Sequence, residues 1–209
     1  MPVNGVSSGT DDRLVGEPPR WQHGRRRLRT SPAAATATAS AVWAEARVIV
    51  RRADHQDAEA IAAVVAAVAD ENRWIATQPP VDLGEFAARQ RGAMDGGDLF
   101  WVLVDGERVV GTLGLHRTAV TGVGGLGMSI VAGSRGAGGG RLLMDALMKH
   151  LRLAARLHKV ELEVWPDNER AIALYASYGF EIEGLRREHY RRKDGSLRSS
   201  LLMGLLLEA

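Results

Sequence analysis

From Val48 onward the chain moves between two hydrophobic rhythms. A period of two marks half-buried strands and a period of 3.6 marks amphipathic helices. Val48 to Arg52 predicts a first strand, and Ala53-Asp54-His55-Gln56-Asp57 a turn and cap before an alanine-rich helix over Ala58 to Ala69. Leu83 to Met94 predicts a second helix. Leu99 to Val104 and Val109 to Leu115 predict two strands joined by Asp105-Gly106-Glu107, whose Asp-Gly pair is a strong hairpin signal. Gly122 to Val131 predicts a fourth strand, weakened by Gly122, Gly124, Gly125 and Gly127. Arg141 to His158 carries Leu143, Leu147, Leu151 and Ala154 on one stripe, which predicts a third helix. Val160-Glu161-Leu162-Glu163-Val164 alternates apolar and acidic residues as a strand does. Pro166-Asp167-Asn168 then breaks it, Asn168 or Asp167 caps a helix over Glu169 to Ser177, and Gly179 stops that helix. Phe180 to Tyr190 and Leu197 to Leu207 predict a closing hairpin across Lys193-Asp194-Gly195-Ser196.

The junction before the third helix bears on chemistry. Arg135-Gly136-Ala137-Gly138-Gly139-Gly140 stands between a strand-like run, Leu126 to Val131, and the helix. Glycines at a strand-to-helix turn leave backbone N–H groups bare, and the helix N-terminus adds about half a positive charge. Such a place seats a phosphate or pyrophosphate. It is not a P-loop, since no Lys-Ser or Lys-Thr pair follows, and neither Gly136 nor Gly138 starts the G-x-G-x-x-G dinucleotide spacing. Arg135, Gly138 and Gly140 instead spell R-x-x-G-x-G.

That pattern resembles the acetyl-coenzyme A loop of the GCN5-related N-acetyltransferases. A second stretch, Asn168-x-x-Ala171-x-x-Leu174-Tyr175-x-x-x-Gly179-Phe180, is similar to a later signature of the same family, in family order and at family spacing. The resemblance runs from about Arg47 to Leu207. It implies an α/β fold: a mixed, mostly antiparallel sheet with splayed central parallel strands and about four flanking helices. It also implies acetyl-coenzyme A as co-substrate and direct attack by an amine on its thioester. The residues implied for the cofactor are Met128, Ser129 and Ile130 through their main chain, Arg135, Gly136, Ala137, Gly138, Gly139 and Gly140 around the pyrophosphate, and Asn168 at the cofactor arm. Met128 and Ile130 also fit plain strand burial.

The family places a general acid for the leaving thiolate at the position of Tyr175, a role a phenol can fill; packing beside Tyr178 is the structural alternative. Glu163 lies five residues before Asn168, the spacing of the base in the ribosomal-protein alanine acetyltransferases of this family. Glu161 sits two residues earlier, so a solvated carboxylate pair is the plainer account of both. Many members carry an acid on the fourth strand, and none occurs here between Thr118 and Val131, which leaves Glu163 or a water chain. Glu71 and Trp74, between the first two helices, fall where the family builds one acceptor wall; the expectation is that Glu71 attracts an ammonium group and Trp74 stacks on it. His116, ending the third strand, and Tyr190, on the sixth, are further acceptor-wall candidates. The acceptor itself, whether small amine, amino acid or peptide N-terminus, stays open.

Composition changes little of this. There are no cysteines among the 209 residues, so thiolate catalysis and thiolate metal sites are excluded, and the histidines lack metal-ligand spacing. A formal charge of +2 argues for no nucleic-acid partner. No apolar run reaches the ~18 residues of a membrane span, so a cytoplasmic protein is expected. Abundant Arg, Ala and Gly beside scarce Lys hint at a GC-rich bacterial genome. The first 45 residues, with Arg25-Arg26-Arg27-Leu28-Arg29 and an Ala/Thr run, are expected to be a disordered extension ahead of a domain over residues 46–209. Trp21 and Trp43 have no explanation there. The leucine-rich last strand fits either a core strand or a homodimer edge. A non-catalytic coenzyme A sensor and a partner-binding protein using the basic tail are the competing readings.

Overall fold

The computed structural model describes residues 48–154 and 157–207. The expected disordered extension, with Trp21, Trp43 and the arginine run, lies outside them. Seven strands form one sheet: β1 (Val48–Arg52), β2 (Leu99–Asp105), β3 (Arg108–Arg117), β4 (Val123–Ile130), β5 (Lys159–Val164), β6 (Glu181–Arg191) and β7 (Leu197–Leu206), in the order β1-β2-β3-β4-β5-β7-β6. The helices longer than one turn are α1 (Ala58–Asp70), α2 (Leu83–Asp95), α3 (Gly139–Ala154) and α4 (Glu169–Ser177). Neighbouring strands run antiparallel except β4 and β5, which are parallel and pair only through Val123↔Lys159, Gly124↔Val160 and Gly125↔Glu161. Beyond those pairs the two central strands part. This is the mixed sheet with splayed parallel strands that the resemblance implies.

Alternation along the strands divides the core between the two faces. Leu113, Leu115, Leu126, Val160, Leu162 and Val164 pack with Leu143, Met144, Leu147 and Leu151 of α3 and with Tyr175 of α4. On the other face, Phe100, Val102 and Val104 meet Ile61 of α1, and Ala58, Ala62 and Ala87 let α1 and α2 approach closely. The apolar stripe of α3 is the one read from its sequence, but the helix differs at both ends. It starts at Gly139, two residues early, and it does not include His158. The His158 N–H donates to the Gly122 carbonyl at 2.9 Å and its carbonyl accepts from the Leu207 N–H at 2.9 Å, so that backbone is committed to the sheet and unavailable to a helix.

Two features position the site. The last strand, β7, is bonded to β5 on one edge and to β6 on the other, which leaves it no edge for pairing with a second copy. The connection between α1 and α2 is clasped by the β6–β7 turn. Arg192, only 5% exposed, donates to the carbonyls of Ile75 at 3.1 Å and Ala76 at 3.0 Å and to Asn72 Oδ1 at 2.7 Å. The Lys193 N–H adds a bond to Gln78 Oε1 at 2.6 Å.

Candidate active site

Where β4 and β5 part, a cleft of about 1040 Å³ opens, lined among others by Met128, Ser129, Ile130, Arg135, Gly138, Gly140, Asn168 and Tyr175. Leu126 to Ile130 are hydrogen-bonded to β3 on one side, while their other edge faces the opening. Gly136 and Gly138 hold φ of +83° and +102°, a left-handed backbone that favours glycine. The first backbone bonds of α3 run from the Arg141 and Leu142 N–H groups to the Gly138 carbonyl, so the amides before them sit in the orphan positions of a helix N-terminus. Gly139 has a separate reason: a Cβ there would lie 2.5 Å from Leu103 Cδ2, too close for any side chain. The loop thus has the form of an anion cradle, a backbone turn set at the positive end of a helix. Arg141 and Arg170 also line the cleft, and Arg170 Nη1 would stand 3.5 Å from a Cβ on Gly136. The sequence reading passed over both, although Arg170 lies two residues after Asn168.

The α4 helix is capped by Asn168, whose Oδ1 accepts from the Ala171 N–H at 3.2 Å. Tyr175 projects from it into the core at the cleft, 7% exposed, with its ring 5.8 Å from that of Phe180. Burial disfavours the phenolate and pushes the Tyr175 hydroxyl up to about 12. Glu163 stands on β5 at the other side of the opening and is heavily bonded. Its Oε1 accepts from Arg186 at 2.6 Å; its Oε2 accepts from Ser200 Oγ at 2.7 Å and Tyr190 Oη at 3.0 Å. Arg186 and Ser200 face each other across β6 and β7, which explains why both reach one carboxylate. The structure therefore joins Glu163 and Tyr190, which the sequence placed separately, and adds Arg186 and Ser200. Tyr190 packs edge-on to Trp165 at 5.0 Å, and its own hydroxyl is raised, first by burial and then by Glu163.

Glu71 and Trp74 are arranged differently from the expectation. The Arg135 guanidinium forks onto the Glu71 carboxylate at 2.7 and 2.5 Å, and Trp74 Nε1 donates to the same carboxylate at 2.8 Å. Arg135 Nε donates to the Ile130 carbonyl at 2.7 Å. The Arg135 bonds hold the Glu71 carboxyl below its ordinary range. Its charge is matched within the protein, so it is not the open anion that an ammonium group would seek. Trp74 packs with Arg73, 4.3 Å from its ring centre. Arg135 reaches away from the glycine turn and ties it to the α1–α2 connection. His116 lines the cleft too; its Nδ1 lies 3.0 Å from Asp98 Oδ2. Asp98 is another residue the sequence reading missed, because it comes 18 positions earlier in the chain.

Comparison with known proteins agrees with this geometry. The chain is 48% identical over 52 residues to N-alpha-acetyltransferase RimI of Mycobacterium tuberculosis (strain ATCC 25618 / H37Rv), a match covering 25% of this chain and 33% of that relative's length. Solved structures that share the fold include the following three. A ribosomal-protein-alanine N-acetyltransferase from Brucella melitensis superposes with TM-score 0.69 at 24% identity, over 76% of this chain and 99% of that one. An acetyltransferase of the GNAT family from Streptococcus pneumoniae gives 0.68 at 21%, over 77% and 100%. A GNAT superfamily phosphinothricin acetyltransferase from Sinorhizobium meliloti, in complex with AcCoA, gives 0.64 at 22%, over 77% and 88%. Residues 61–180 match the family described as Acetyltransferase (GNAT) family, a span that runs from α1 through the glycine turn to the end of the Asn168–Phe180 signature. With fold, turn and signature in agreement, the chain belongs to the GNAT acetyltransferase family.

Proposed function

We propose that this protein transfers an acetyl group from acetyl-coenzyme A to the primary amine of a small molecule, an amino acid or a peptide N-terminus. The carrying observation is the meeting of three things in one cleft: the open seam between β4 and β5, the glycine turn at the head of α3, and Tyr175. The residues fit the co-substrate. Gly136 and Gly138 turn the backbone at the head of α3 toward a pyrophosphate-sized anion, and the edge of Met128, Ser129 and Ile130 offers main-chain partners to an amide-bearing arm. Asn168 keeps α4, and with it Tyr175, at the cleft. The partial match to N-alpha-acetyltransferase RimI supports including a peptide N-terminus among the acceptors.

Acetyl-coenzyme A supplies an acyl group already activated as a thioester. The chain then has to hold the amine against it, exclude water, and manage two protons. Orientation alone contributes on the order of 7–11 kcal/mol in favourable cases. Tyr175 takes the part of hydrogen donor to the departing thiolate. Glu163, fixed by Arg186, Tyr190 and Ser200, forms a polar wall on the side from which the amine approaches. Free thiol release from acetyl-coenzyme A, measured with a panel of amines, amino acids and short peptides, tests the reading. Release that depends on one acceptor class is expected. Tight coenzyme A binding without release for any acceptor would favour a sensor instead, and no binding would remove the site assignment.

A further inference from the structure

Register places two candidate proton acceptors on the same face of the sheet, on either side of a glycine floor. His116 pairs with Gly125, Gly114 with Gly127, and Gly125 with Glu161. Side chains of paired residues, and of residues two apart, share a face, so His116, Gly114, Gly125, Gly127, Glu161 and Glu163 all present the side that α1 covers. The three glycines leave that floor bare, and the His116 ring uses the space: a Cβ on Gly114 would lie 2.6 Å from Nε2, and one on Gly127 3.9 Å. Phe100 supports the imidazole edge-on at 5.2 Å.

The two candidates differ in what their lone pairs are doing. Glu163 carries three donors, one of them a guanidinium, so both of its oxygens are already engaged within the protein. Among the described residues, the His116 ring is hydrogen-bonded from one side only. Asp98 Oδ2 lies 3.0 Å from Nδ1, and Asp98 Oδ1 accepts the Arg117 N–H at 2.8 Å, which fixes the carboxylate. A carboxylate can only accept, so the neutral imidazole carries its proton on Nδ1 and leaves the Nε2 lone pair over the floor. The other groups around it are few. Arg117 directs its guanidinium to the Gly96 carbonyl at 2.5 Å; α1 contributes Ile61, Val65 and Val68 to the cleft, and α2 contributes Phe86 and Gln90. The charges on that face of the farther strands are Lys159, Glu161 and Glu163 of β5, with Arg186 and Glu183 of β6 paired to Glu163 and Lys159 and Arg198 of β7 beside Asp167.

We propose that His116, positioned by Asp98, is the catalytic base for the attacking amine. This rests on the acetyltransferase reading above. Nε2 takes a proton from the ammonium group; the freed nitrogen lone pair forms the bond to the acetyl carbonyl carbon; the carbon–sulfur bond breaks as the attacking nitrogen loses its second proton to solvent; Tyr175 donates a hydrogen bond to the departing thiolate, and the imidazolium returns its proton to solvent. Asp98 is a positioning residue that selects the tautomer.

The test compares pH–rate profiles of the full chain and its H116Q, D98N and E163Q variants, with acetyl-coenzyme A binding followed by calorimetry. The wild-type rate is expected to rise with pH along an acid-side limb. H116Q should bind acetyl-coenzyme A unchanged, lose ~10²- to 10⁴-fold in kcat, and lose that limb. D98N, having removed the group that fixes the Nδ1–H tautomer, should lower kcat with acetyl-coenzyme A binding unchanged and leave the imidazole a mixture of tautomers by nitrogen NMR, and E163Q should keep the limb. An H116Q variant that retains rate and limb while E163Q loses them overturns the proposal and leaves acetyl transfer intact. A wild type that binds acetyl-coenzyme A and acetylates nothing overturns both. Should H116Q fail to fold, nitrogen NMR of the wild-type imidazole decides: the Nδ1–H tautomer is expected, and the Nε2–H tautomer overturns the assignment.

Discussion

Tyr175 shows how far burial alters a residue's chemistry. An ordinary thiol titrates near 8.5, so a phenol pushed up to about 12 gives up its proton to a free thiolate only uphill, by roughly 5 kcal/mol. The same dry surroundings raise a thiolate's basicity when it forms there, and a hydrogen bond donated to the forming anion captures much of the benefit. Tyr175→Phe is expected to lower kcat by ~10- to 1000-fold with little change in acetyl-coenzyme A affinity; an unchanged rate removes Tyr175 from the mechanism. The acid form persists below the raised value, so no alkaline loss of rate should trace to Tyr175 below about pH 11. Tyr175 and Asn168 were legible in the sequence because both sit in one short signature. The company of Glu163 was not. Arg186 and Ser200 follow it by 23 and 37 residues, and only strand pairing brings them near; likewise nothing local announced that Glu71 would be claimed by Arg135, 64 residues away.

Among the elements, the turn into α3 is the most constrained. The phosphate-seat reading came from glycines alone, yet the glycines divide by purpose: Gly136 and Gly138 by backbone conformation, Gly139 by contact with Leu103. Gly138→Glu combines a strained left-handed residue with a negative charge in an anion seat and is expected to abolish coenzyme A binding by calorimetry, while circular dichroism shows the fold retained. Measurable binding would displace the site from this turn. Strand β4 was the least certain element in the sequence because glycine disfavours strands. It forms because Leu126 and Val123 are buried in the core and because β3 bonds it as far as Ile130.

At the scale of the whole molecule, distant parts of the chain enclose the acceptor side of the cleft. The α1–α2 connection meets the glycine turn through Glu71 and Arg135 and meets the β6–β7 turn through Arg192. Arg192 spends its buried charge largely on backbone carbonyls, so its role is to hold that connection in place. Arg192→Met should free the connection and raise the acceptor KM by roughly tenfold, about 1.4 kcal/mol, with a smaller effect on kcat. An acceptor KM that stays put would show that the connection keeps its place without the clasp. The mixed sheet with its splayed parallel strands was legible through the family resemblance. The clasp was not, since an arginine in a charged turn gives no sign in the sequence that it will be buried.

The short ladder between β4 and β5 has a thermodynamic consequence. Only three residue pairs join the two halves of the sheet, and the strand edges beyond them are left to whatever enters the cleft. A ligand seated there bridges the halves, so its binding free energy adds to the resistance of the chain to unfolding: about 2.7 kcal/mol when it is present at a hundred times its Kd. The melting temperature of this protein is therefore a property of the mixture it is in. A population rich in acetyl donor is a tougher one, and depletion of the donor would expose the molecule to unfolding before any residue had changed.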